Sequence, residues 1–89
     1  MSNASITLYN NDETRGLIAA IQKDNPAAKT NVYPGYVKID CDKRLVINRD
    51  SVEAEIGRTW DVNEIHLAVI SLAGHVDEDD DYFIIHWNH

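Results

Sequence analysis

Hydrophobic and polar positions change period several times along the chain. In "SITLYNN", Ile6 and Leu8 alternate with polar neighbours, the period of a half-buried strand. In "DETRGLIAAIQKDNP" the spacing lengthens: Leu17, Ile18 and Ile21 recur at helical intervals and define one apolar face. Asn11 or Asp12 is placed to cap this helix, acids fall in its first turn, and Pro26 stops it. Gly16 is a weak point inside it, worth about 1 kcal/mol against alanine, and marks a close approach of another backbone. Met1 to Ala4 precede the first strand with no anchor and are expected to be loose.

"TNVYPGYVKIDC" reads as strand, turn, strand. Pro34 presets the first torsion of the turn and Gly35 accepts a positive φ. Val37, Ile39 and Cys41 alternate with Tyr36, Lys38 and Asp40, and Asp42-Lys43 turns the chain into "RLVIN". In "RDSVEAEIGR", Asp50 and Glu53 have capping-box spacing, Val52 and Ile56 lie one turn apart, and Gly57 suits the helix end. Asp61 and Glu64 in "DVNEIHL" repeat the capping signal. "HLAVISLAG" and "YFIIHWNH" are two closing strands joined by an acidic loop. The pattern predicts a single α+β domain over residues 1–89, a helix packed against antiparallel sheets, in the order β-α-β-β-β-α-α-β-β.

Charge narrows the function. The net charge is −7, and Asp77–Asp81 alone account for five of the fifteen acidic residues, leaving the remainder of the chain at −2. A chain without a basic face does not suit nucleic acid. A near-neutral body with one focused acidic loop suits docking on a protein partner. Cys41 is the single cysteine, so an internal disulfide is excluded. No apolar run is long enough to span a bilayer and no signal-peptide pattern opens the chain, so a cytoplasmic protein with no membrane partner is expected.

"GHVDEDDDYFIIHWNH" sets carboxylates beside His75, His86 and His89. It lacks the central glycine and terminal glutamate of a calcium loop. A hairpin centred near Asp79 would place His86 opposite about Leu72 and His75 opposite about Phe83, so that no two histidines meet. A solvated hairpin tip is therefore expected rather than a metal site. No nucleophile elbow, phosphate loop or dinucleotide fingerprint is present. Cys41 alternates with core positions and reads as a small core residue. His66 reads as a half-buried residue at the start of a strand, Trp87 as core, and Trp60 as a cap on the core between helices. Tyr33 and Tyr36 are either a lid on the core or anchors for a partner.

"AAIQKDNPAAKTNVYPGYVKID", "RDSVEAEIGR", "NEIHL" and "GHVDEDDDYF", in this order and spacing, resemble the small effector proteins of bacterial multicomponent diiron monooxygenases. The resemblance covers about residues 14 to 87 and is closest to the phenol hydroxylase branch. It implies an α+β fold without cofactor or active site. It also implies that the chain binds the hydroxylase component and couples electrons from an NADH-dependent reductase to oxygen activation and substrate hydroxylation. The long N-terminal tail of relatives from methane oxidation is not expected to carry over, because few residues precede Ile6. The other function considered is an acidic inhibitor that mimics nucleic-acid charge on a basic partner, with a metal carrier as a third. The expected docking surface runs from the end of the first helix through the tyrosine turn. It comprises Gln22, Asn25, Tyr33, Pro34, Gly35 and Tyr36, bordered by Gly74 and His75.

Overall fold

The computed structural model describes residues 3–87. Among these residues, seven strands form two antiparallel sheets. One sheet has the order β2-β3-β1-β5 and the other β4-β7-β6. The strands are β1 (Asn3–Tyr9), β2 (Lys29–Tyr33), β3 (Tyr36–Asp42), β4 (Arg44–Asn48), β5 (Val69–Ala73), β6 (His75–Glu78) and β7 (Tyr82–His86). The helices are α1 (Arg15–Asp24), α2 (Arg49–Ile56) and the short α3 (Ile65–Ala68), entered through a 3-10 turn at Val62–Glu64. The α+β class and the element order are as expected, with the penultimate strand broken in two at Gly74.

Strand alternation builds the core. Ile6 pairs with Ile39 and Leu8 with Val37 in one sheet; Leu45 pairs with Ile85 and Ile47 with Phe83 in the other. All eight are 2% exposed or less and merge with Leu17, Ala20 and Ile21 of α1. Phe83 is the largest fully buried side chain. Truncating it to alanine would cost roughly 3–5 kcal/mol through lost transfer energy and a cavity. Trp60 is 6% exposed and does cap the core between helices.

Two residues carry the chain between the sheets. Lys43 joins β3 to β4 with φ 67°, and Gly74 joins β5 to β6 with φ 133°. A Cβ on Gly74 would sit 2.6 Å from Ile85 Cγ2 and 3.2 Å from the His86 carbonyl oxygen. A glycine here lets β5 leave one sheet and β6 enter the other.

Local chemistry overrides several expectations. Asn3 and Ala4 are in β1, where Ala4 is fully buried opposite Cys41, while Met1 and Ser2 lie outside the described residues. The first helix starts at Arg15, so Asp12 and Glu13 fall in the preceding turn. There the Asn11 side-chain oxygen accepts from the Glu13 and Thr14 N–H groups. Gly16 makes room for the Ile56 side chain of α2 rather than for a backbone. Asp50 lies inside α2, and Glu53 instead accepts from the Trp60 N–H at 2.8 Å, so the expected capping box is absent there. The box at Asp61 and Glu64 is formed, and Gly57 ends α2 in the left-handed region. Trp87 lies half-buried beyond β7, its indole N–H donating to the Asn3 carbonyl at 2.9 Å, and is not core.

Candidate functional site

The acidic stretch is resolved by its register. The β6–β7 hairpin pairs Glu78 with Phe83 and His75 with His86, so its centre lies between Asp80 and Asp81. The expectation that no two histidines meet is therefore wrong: the His75 and His86 rings are 6.1 Å apart. Splitting the strand at Gly74 frees β6 from the register of β5, which pattern alone does not reveal.

The carboxylates then pair one by one instead of converging. His86 Nε2 is 2.8 Å from Asp77 Oδ2, and His66 Nε2 is 2.8 Å from Glu78 Oε1. The Arg49 guanidinium lies 3.3 Å from the Asp81 carboxylate and donates to the Asp80 carbonyl at 3.2 Å. His66 is exposed on α3, not half-buried at a strand start. No group of three or more His, Cys, Asp or Glu is placed to hold a metal among the described residues; His89 lies outside them. With partners on three of its five acids, the run is also a poor copy of a phosphate chain.

Apolar surface gathers at one end of the larger sheet. Tyr9 pairs with Tyr36, and Tyr36 with Tyr33, forming a row across β1, β3 and β2. Directly opposed residues of antiparallel strands share a face, so the three side chains lie side by side. Tyr33 and Tyr36 stack with ring centroids 4.8 Å apart and planes inclined by 15°. Their exposures of 41% and 38%, with Tyr9 at 50%, do not fit a lid over the core. Beside Tyr9 stands Leu67, 83% exposed on α3. The Asn10 N–H donates to the Gly35 carbonyl at 3.0 Å and ties the Pro34-Gly35 turn to the end of β1.

The other expected surface residues divide. Gln22 is exposed on α1 and donates to the Thr30 hydroxyl of β2 at 3.2 Å, at the foot of the tyrosine hairpin. Asn25 is only 7% exposed. Its amide donates to the Ile21 and Val46 carbonyls and accepts from the Val46 N–H, so it supports the core and offers nothing to a partner. Gly74 and His75 do not border the tyrosine turn. Ala73 pairs with Ser5, four residues along β1 from Tyr9, about 13 Å at the rise of a strand. Sequence reasoning missed Tyr9 and Leu67, although both were legible. Alternation from Ile6 and Leu8 puts Tyr9 on the outer face, and the spacing of Val62, Ile65 and Ala68 leaves Leu67 off the buried one.

Comparison with known proteins identifies relatives of the chain. The model of the MmoB/DmpM family matches residues 2–86. The chain is 44% identical over 82 residues to the stimulatory component DmpM of phenol 2-monooxygenase from Pseudomonas sp. strain CF600, covering 92% of this chain and 91% of that one. A chain in a structure of a phenol hydroxylase–regulatory protein complex superposes with a TM-score of 0.93 at 47% identity, covering 98% of this chain and all of that one. Regulatory protein B of soluble methane monooxygenase shares the fold, with a TM-score of 0.76 at 21% identity over 97% of this chain and 65% of its own.

Proposed function

The chain belongs to the MmoB/DmpM family, and from that premise we propose that it is the effector that docks on the hydroxylase of a phenol hydroxylase-type diiron monooxygenase. Like relatives named stimulatory or regulatory components, it is a regulatory subunit and not a catalytic one. Its role is linkage: by binding one state of the hydroxylase better than another, it shifts the enzyme toward that state by the difference in affinity. In this reading the shift couples NADH-derived electrons from the reductase to oxygen activation and hydroxylation. A coupling free energy of a few kcal/mol changes rates by orders of magnitude.

The exposed tyrosine row carries the docking reading. Its members are held by cross-strand pairing, present large amphipathic area and bring no charge that docking would have to desolvate. The surface comprises Tyr33, Pro34, Gly35 and Tyr36, with Tyr9 and Leu67 beside them and Gln22 at the hairpin foot. The acidic tip steers from a distance.

Reconstitution tests the reading. Added to a cognate hydroxylase, its reductase and NADH, the protein should raise product formed per NADH consumed, and a large excess should inhibit. Unchanged rate and coupling on leaving it out would refute the effector role. Tyr33→Ala and Tyr36→Ala should each weaken docking by about 2 kcal/mol or more with little change in melting temperature. Loss of stability with intact affinity would instead mark the pair as structural.

A further inference from the structure

The face of the larger sheet that carries the tyrosine row continues one pleat further along the strands. Thr7 pairs with Lys38, Lys38 with Asn31, and Thr7 with Ser71, so these four side chains form a second row beside the first. Asn31, Lys38 and Ser71 are exposed and Thr7 is half-buried. Lys38 lies two residues from Tyr36 on β3, about 7 Å at the rise of a strand. It is the one charged side chain in the two rows, a positive point on a chain of net charge −7. The carboxylate beside it does not hold it. Lys38 Nζ is 3.9 Å from Asp40 Oδ1, outside hydrogen-bonding distance. That same oxygen accepts from the hydroxyl of Ser5, which is 9% exposed.

We propose that the hydroxylase surface covering the tyrosine row places a carboxylate on Lys38, and that this ion pair fixes the register of docking. The inference rests on the tyrosine row being the docking surface. Charge complementarity selects the group. A partner seated on the tyrosines also covers Lys38, one pleat away, and strips water from its ammonium. A covered ammonium needs an anion, because a buried unpaired charge opposes binding. Asp40 meets that need poorly: its near oxygen is engaged by Ser5, and its side chain is only 20% exposed. The aromatic contacts alone leave the register open. Tyr33, Tyr36 and Tyr9 repeat across neighbouring strands, about 4.8 Å apart, so an apolar partner shifted by one strand still meets two of them. A single charge beside the central tyrosine removes that degeneracy. The acidic tip and Lys38 have opposite signs, so a partner with the matching pair of patches docks in one orientation.

The test is calorimetric titration of full-length variants into a cognate hydroxylase at about 0.15 M ionic strength. Lys38→Gln should weaken docking about tenfold and Lys38→Glu about a hundredfold, whereas Lys38→Arg, which keeps the charge, should stay within about threefold of the native protein. Lys43→Glu is the control for net charge. Lys43 is exposed and five residues along the chain from Lys38, about 16 Å at the rise of a strand and beyond the screening length of about 8 Å. Its reversal should change affinity less than about threefold. Native affinity in Lys38→Gln, or equal losses from Lys38→Glu and Lys43→Glu, would overturn the proposal. If Lys38→Glu does not fold, Lys38→Gln decides. Tyr33→Ala and Tyr36→Ala, titrated alongside, separate this inference from the reading beneath it. Weakened tyrosine variants with unaffected Lys38 variants leave the docking surface standing and remove the ion pair. Native affinity in both tyrosine variants removes the surface, and the inference with it, whatever Lys38 does.

Discussion

The Asn25 side chain bridges α1 to Val46 of β4, donating to its carbonyl at 2.6 Å and accepting from its N–H at 2.9 Å. A further bond from the amide to the Ile21 carbonyl closes the helix end. The "DNP" that terminates α1 therefore fastens the helix to the smaller sheet. Asn25→Ala should cost about 2–3 kcal/mol, because it strands a Val46 N–H and carbonyl as well as removing bonds. For a domain of this size that corresponds to a fall in melting temperature of roughly 10 °C or more. Thermal denaturation checks it, and affinity of the folded fraction for the hydroxylase should be unchanged.

The sheet corner predicts effects of opposite sign. Lys43 holds a positive φ that strains a side-chain-bearing residue, so Lys43→Gly should raise stability by about 0.5–1 kcal/mol after the entropy of glycine is counted. Gly74→Ala should lower it by roughly 2 kcal/mol or more, since the methyl group meets Ile85 and the His86 carbonyl at a φ that favours glycine. Urea midpoints of the two variants should move in opposite directions.

Tyr9 and Leu67 test whether the apolar surface extends beyond the tyrosine turn. Tyr9→Ala and Leu67→Ser should change stability by no more than about 0.5–1 kcal/mol, given exposures of 50% and 83%. Docking on the hydroxylase should weaken by about 1–2 kcal/mol for each. Titration calorimetry showing native affinity for both would confine the surface to the β2–β3 hairpin.

Burial, and secondarily the Asp42 carboxylate, raise the Cys41 thiol above its ordinary pKa. The fold favours the protonated thiol. The associated stability is complete below the unfolded thiol pKa and is lost as pH rises through the folded value. Iodoacetamide should modify Cys41 more slowly than a free cysteine at pH 8. Relative to Cys41→Ser, the native protein should lose stability only above the ordinary thiol range. Alkylation as fast as that of the free amino acid would contradict this placement.

Local sequence determined most of the elements. Alternation of Ile6 with Leu8 and of Val37 with Ile39 specifies strands that bury one face. Pro34-Gly35 specifies a hairpin turn, and Asp61 with Glu64 specifies a capped helical start. These signals act over a few residues, so they survive without knowledge of neighbours. The resemblance to diiron monooxygenase effectors, carried by short blocks in fixed order, likewise needed no coordinates. Tertiary structure decided what depends on partners distant in the chain. A positive φ at Gly74 passes one apolar run from one sheet to the other, shifts the hairpin register and brings His75 opposite His86. Asn25 was drawn into the core because Val46, 21 residues away, needed its amide. Tyr9 became part of an aromatic row only when β1 paired with β3, since a strand's outer face acquires neighbours through hydrogen bonds between strands and not along the chain.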